Sequence, residues 1–150
     1  MIQFLLLVSR QGKIRLSKWY SFLPRAQQIK IAQEAANLAL SRNRKSCNFI
    51  EWREGKLIYK RYASLYFIAY TDKEDNELLT LEVIHHYVEI LDRYFGNVCE
   101  LDIIFNFHKA YYLLDETIIA GELQETSKQK VLHATVAQDM LIKAANGQDS

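Results

Sequence analysis

The 150-residue sequence holds one proline, five glycines and two cysteines, Cys47 and Cys99. Two cysteines without C-x-x-C spacing give neither a disulfide framework nor a thiolate metal cage, and they fit a reducing cytosol. Net charge is +1, so no global field selects nucleic acid or an anionic membrane. Long hydrophobic runs are missing too. The run FLLLV at residues 4–8 gives way to Ser9-Arg10, too short for a signal-peptide core or a membrane span.

Catalytic signatures are equally scarce. RQGK at residues 10–13 has a glycine before its lysine but no glycine-rich approach and no following Ser or Thr, so it is not a phosphate loop. His85 and His86 are neighbours on a helical stretch, where adjacent side chains project about 100° apart, and cannot chelate one metal together. Residue i+4 from His85 is Glu89, and no third ligand follows. Asp115-Glu116 reads as a solvated helix end, and each cysteine as a small buried hydrophobe. No enzyme activity, metal or cofactor is expected.

What the chain does hold is apolar material, 49% of residues with 12% aromatic, enough for a single core. Residues 2–9 and the alternating stretch after Gly12 predict a hairpin, with Ile14 and Leu16 on one face and Lys13, Arg15 and Ser17 on the other. Pro24 suits a first helical turn, followed by Ile29, Ala32, Ala36 and Leu40 at helical spacing. NFIEWR and KLIYKRY form a second hairpin turning at Glu54-Gly55. ASLYFIAY continues the sheet and is apolar on both faces, as in a strand covered by helices on both sides.

Asp75 or Asn76 caps the helix ELLTLEVIHHYVEILDRYF, which carries two apolar stripes and is stopped by Gly96. Such a helix is either sandwiched or shared with a partner. Residues 99–114 read as one or two short helices, and TSKQ at residues 126–129 opens a last amphipathic helix. The order β-β-α-β-β-β followed by helices gives an α+β fold, an antiparallel sheet with helices on both faces. Basic clusters at Lys13-Arg15-Lys18, Arg42-Arg44-Lys45 and Lys60-Arg61 are too small for a nucleic-acid track. Lys13 and Arg15, with no acid near in sequence, form a local anion-site candidate. Within YFGNVCELDIIFNF (residues 94–107), the apolar residues after Gly96 serve either the core or a bound ligand.

The blocks SRQGKIRLSKWY, NFIEWR, YKRYASLYF, DNELLTLEVIHHYVEILDRYFGNVCELDIIFNF and KAYYLLDE together resemble the small (sigma) subunit of clathrin adaptor complexes. EWR, RYASLYF and FNFHKAYY look most like the trans-Golgi and endosomal type. The likeness covers most of residues 1–132, with residues 21–44 matching only in helical pattern. It implies a longin-like domain over residues 1–143, with a five-stranded antiparallel sheet, and a flexible tail at 144–150.

By the same resemblance the chain is one of four subunits. It would pack on a gamma-type large subunit, beside a beta-type large subunit and a medium (mu) subunit. With the large subunit it would bind acidic dileucine signals, [DE]xxxL[LI], in the tails of membrane cargo. Clathrin and an Arf-type GTPase would be met through the assembled complex, at the cytoplasmic face of trans-Golgi, endosomal and coated-vesicle membranes. Carried over residue by residue, the signal pocket would have Ala63, Leu65, Val88, Val98, Leu101 and Ile103 as apolar walls and Asn97 at its border. Arg15 would meet the acid. Position 103 departs from the leucine common in the family, a volume-conserving change. If Val88 lines this pocket, it should face water when the site is empty. The competing assignments are a coatomer zeta-like small subunit and a free-standing trafficking longin protein.

Overall fold

The computed structural model describes residues 1–42, 48–119 and 122–123 of the chain. The order is β1 (Ile2–Ser9), β2 (Ile14–Trp19), α1 (Arg25–Leu40), β3 (Phe49–Trp52), β4 (Gly55–Tyr62), β5 (Leu65–Asp72), α2 (Glu77–Phe95), α3 (Glu100–Phe105) and α4 (Phe107–Thr117). A short pairing of β6 (Ile118–Ile119) with β7 (Glu122–Leu123) follows. The first five strands form one antiparallel sheet in the order β2-β1-β5-β4-β3. This is the expected α+β architecture. The helix expected from residue 126, the tail, Arg44, Lys45 and Cys47 lie outside the described residues.

Strand alternation builds two cores. Phe4, Leu6 and Val8 of β1, Leu57 of β4 and Ile68 of β5 face α1, which meets them with Ala32, Ala35, Ala36 and Ala39. Leu5, Leu7, Ile58, Leu65, Phe67 and Ala69 point the other way, onto α2 and α4. The two-striped helix α2 is therefore sandwiched between sheet and α4, burying Ile84, Tyr87, Val88, Ile90 and Leu91. Tyr87 donates its buried hydroxyl to the Ala110 carbonyl of α4 at 2.7 Å.

Three local expectations are corrected. Leu7 pairs with Leu16 but Val8 pairs with Ile14, so Arg15 is the extra residue of a β-bulge. Ile14 consequently packs on the α1 side and Leu16 on the α2 side, rather than together. Ile29 is 60% exposed, because alanines make the buried stripe of α1. The second hairpin turns at Arg53-Glu54, since Gly55 already pairs with Trp52 as the first residue of β4. A Cβ on Gly55 would lie 2.2 Å from the Thr71 carbonyl oxygen, so this glycine serves close strand approach.

Strand β2 is an outer edge of the sheet, and α4 closes it at one point. The Tyr111 hydroxyl accepts from Ser17 N–H at 3.0 Å and donates to the Ser17 carbonyl at 2.9 Å.

Candidate functional site

The segments carrying the expected pocket residues converge on Asp92. Asn76 starts α2 by accepting from Leu78 N–H at 2.8 Å, and Gly96 ends it with φ 66°, its N–H donating to the Asp92 carbonyl at 2.9 Å. Asn97 is also left-handed, at φ 65°, a conformation asparagine tolerates better than most residues, and donates to the same carbonyl at 3.2 Å. The Asp92 carboxylate completes the turn. Its Oδ1 accepts from Val98 N–H at 3.1 Å and from the Tyr62 hydroxyl at 2.7 Å. That bond, with partial burial, raises the Tyr62 pKa above its ordinary value. Tyr62 precedes Ala63 (φ 54°) in the two-residue turn to Leu65. One carboxylate thus ties together the β4–β5 hairpin, α2 and the α2–α3 loop. Cys99 N–H then donates to Asp102 Oδ2 at 2.9 Å and opens α3.

Leu65, Val88, Val98 and Ile103 are all buried within one cluster, at 2% exposure or less. Ala63, Asn97 and Leu101 are exposed, Leu101 by 60%. The carried-over walls therefore divide into a closed apolar quartet and an open rim. Val88, at 2% exposure, does not face water as expected of the wall of an empty pocket; it packs as core. Between hairpin, helix and loop the branched side chains pack on one another, which removes apolar surface from water. The greasy run after Gly96 splits likewise. Val98 and Ile103 are core, while Ile104, Phe105 and Phe107 remain 37%, 78% and 45% exposed.

Arg15 reaches the same side through the bulge, and its Nε donates to Glu100 Oε1 of α3 at 2.8 Å. The acid missing near Arg15 in sequence is supplied from 85 residues away. Lys13 is exposed, and Lys18 pairs with Asp115 at 3.1 Å. A hollow of about 460 Å³ runs along β2 between α1 and Tyr111, lined by Arg15, Trp19, Arg25 and Ile29 but by none of the buried quartet. His85 is exposed and contacts Glu89 and Lys60, whereas His86 is buried, so the two histidines point apart. Among the described residues no group of three His, Cys, Asp or Glu side chains is arranged to hold a metal, and no helix is long and apolar enough to cross a membrane.

Glu100, Asp92 and Tyr62 escaped the sequence reading. Asp102, three residues after Cys99, caps α3 without the S/T-x-x-E/Q pattern that would have flagged it.

A family model described as the clathrin adaptor complex small chain matches residues 1–141. The chain belongs to the clathrin adaptor small-chain family. An AP-1 complex subunit sigma-2 of Dictyostelium discoideum is 62% identical over 145 residues, 97% of this chain and 94% of that one. An AP-1 complex subunit sigma-2 of Arabidopsis thaliana is 61% identical over 150 residues (100% and 93%). The human AP-1 complex subunit sigma-3 is 60% identical over 141 residues (94% and 92%). In structure, the small chain is similar to one chain of a homology model of the full-length AP-3 complex in a stretched open conformation. The two share 26% identity and a TM-score of 0.78 over 98% of each. An adaptor small chain of this family is not an enzyme, and its longin-like sheet is the expected one.

Proposed function

We propose that this chain is the sigma subunit of an AP-1-type heterotetrameric clathrin adaptor and binds acidic dileucine signals of membrane cargo with a large subunit. In this reading the gamma-type and beta-type large chains and the medium chain are its partners. Clathrin and an Arf-type GTPase act through the assembled complex, at trans-Golgi and endosomal membranes. Relatives about 60% identical that are named AP-1 sigma subunits support the assembly. So do Phe22, Leu78, Leu79, Phe105 and Phe107, exposed apolar side chains that a partner would cover.

One observation carries the cargo site. Leu65, Val88, Val98 and Ile103 meet in one cluster whose neighbouring rim holds Leu101, with Arg15 held on the same side of the sheet. Two signal leucines gain roughly 3–6 kcal/mol gross from burial. Opening the quartet and ordering the peptide offset much of this, giving micromolar or weaker affinity suited to reversible sorting.

The test is peptide titration into the purified four-chain complex. Leu101→Asp should leave assembly intact, because the side chain is on the rim, and abolish dileucine binding while tyrosine-motif peptides still bind the medium chain. Arg15→Ser should weaken acidic peptides several-fold and spare peptides with alanine in place of the acid. An assembled Leu101→Asp complex with unchanged dileucine affinity would refute the site.

A further inference from the structure

We propose that Glu100 occupies, within the chain, the position of the signal's acidic residue, and thereby sets how strongly acid is preferred. This rests on the dileucine reading above and adds a specificity-determining residue to it. Glu100 Oε1 accepts from Arg15 Nε at 2.8 Å, and both side chains are largely shielded, at 23% and 28% exposure. The contact joins an edge strand to α3, and the bulge at Arg15 brings it about. A regular strand would have turned that side chain toward α1.

The consequence follows from charge. A signal carboxylate approaching a bare guanidinium meets a full positive charge. Approaching the Arg15–Glu100 pair, it meets a dipole whose negative end repels it. A guanidinium has five N–H donors, and Glu100 engages the one on Nε, so the remaining nitrogens can still receive an acid. That acid must either share the guanidinium with Glu100 or displace it. Either route is weaker than binding the unpaired cation. Glu100 also lies in the first turn of α3, next to Leu101 on the rim. Acid recognition and leucine contact are therefore one residue apart on a six-residue helix, so a peptide engaging both acts on the same element.

The experiment uses the assembled four-chain complex and two dileucine peptides, identical except for acid or alanine at the acidic position. Glu100→Gln keeps size and an acceptor oxygen but removes the charge. Its expected effect is a rise in the acid-to-alanine affinity ratio of about threefold. That rise should shrink as salt increases, with alanine-peptide affinity unchanged. Glu100→Ala should act in the same direction, and combining Glu100→Gln with Arg15→Ser should bring the ratio back toward one. A ratio that stays level or falls in Glu100→Gln and Glu100→Ala overturns the proposal, as does an equal change for both peptides. Wild-type complex that binds neither peptide would overturn the dileucine reading itself, a result distinct from a normal wild type with an unresponsive ratio.

Discussion

The α1 side of the sheet is closed by a helix of alanines, whereas the α2 side is filled by large side chains from three helices. On the first, Ala32, Ala35, Ala36 and Ala39 leave little but backbone to meet the strands, so the layers approach closely. On the second, Tyr87, Leu91, Val98, Ile103 and Leu113 arrive from separate elements and a loop. Where alanines meet the strands, the helix offers a ligand little side chain to replace. A face assembled from separable segments can part, and in the dileucine reading proposed above an incoming leucine would take the place of the protein's own contacts. On that reading, the difference in side-chain size separates a supporting face from a working one.

The largest expected effect falls on the working face. Val88→Asp puts a carboxylate at a position 2% exposed, and an unpaired buried charge is costly enough to unfold a small domain. The variant subunit should vanish from co-purified complexes, in contrast to Leu101→Asp on the rim. Recovery of intact complex would show that the quartet opens more readily than its packing implies. Next comes Ala36→Leu, which adds volume where the supporting face has none and should cost about 1–3 kcal/mol. A lowered denaturation midpoint with unchanged dileucine affinity would confirm that this face only supports.

Asp92→Ala should cost a comparable 1–3 kcal/mol, about the desolvation penalty of orphaned donors, because Val98 N–H and the Tyr62 hydroxyl lose their acceptor. Its signature is different: at matched destabilisation, dileucine affinity should fall further than in Ala36→Leu. Equal affinity in the two variants would detach Asp92 from the site.

The smallest effect is alkaline. Burial raises the hydroxyl pKa values of Tyr20, Tyr70, Tyr87 and Tyr112, and a hydrogen bond to Asp92 raises that of Tyr62. The unfolded chain ionises these groups near about pH 10, before the folded chain does. Their contribution is whole below that pH and is lost as pH climbs through the raised folded values. Denaturation midpoints should therefore drop above about pH 10, less steeply in Tyr62→Phe.

Element order and the boundaries of α2 were legible because periodicity, a capping Asn76 and a stopping Gly96 agree there. Turns were harder. Arg53 and Ala63 take left-handed conformations without glycine, and the nearby Gly55 answers a packing demand inside a strand. The bulge at Arg15 was invisible, since IRLSKW alternates as well in either register, and only pairing with β1 decides. Of the site, the residue types in the hairpin, helix and loop could be read, but their partners could not. Arg15 meets Glu100, and Tyr62 meets Asp92 thirty residues away, through the fold alone.

The Tyr111 hydroxyl gives and takes one hydrogen bond at the same residue of β2. In effect it is a sixth strand one residue long. A foreign strand seeking to extend the sheet along this border would find its central rung already filled, and would have to evict a side chain anchored in α4 to pair along the whole of β2. On this edge the sheet carries its own terminator, and a protein that spends its life beside other chains keeps this outer strand to itself.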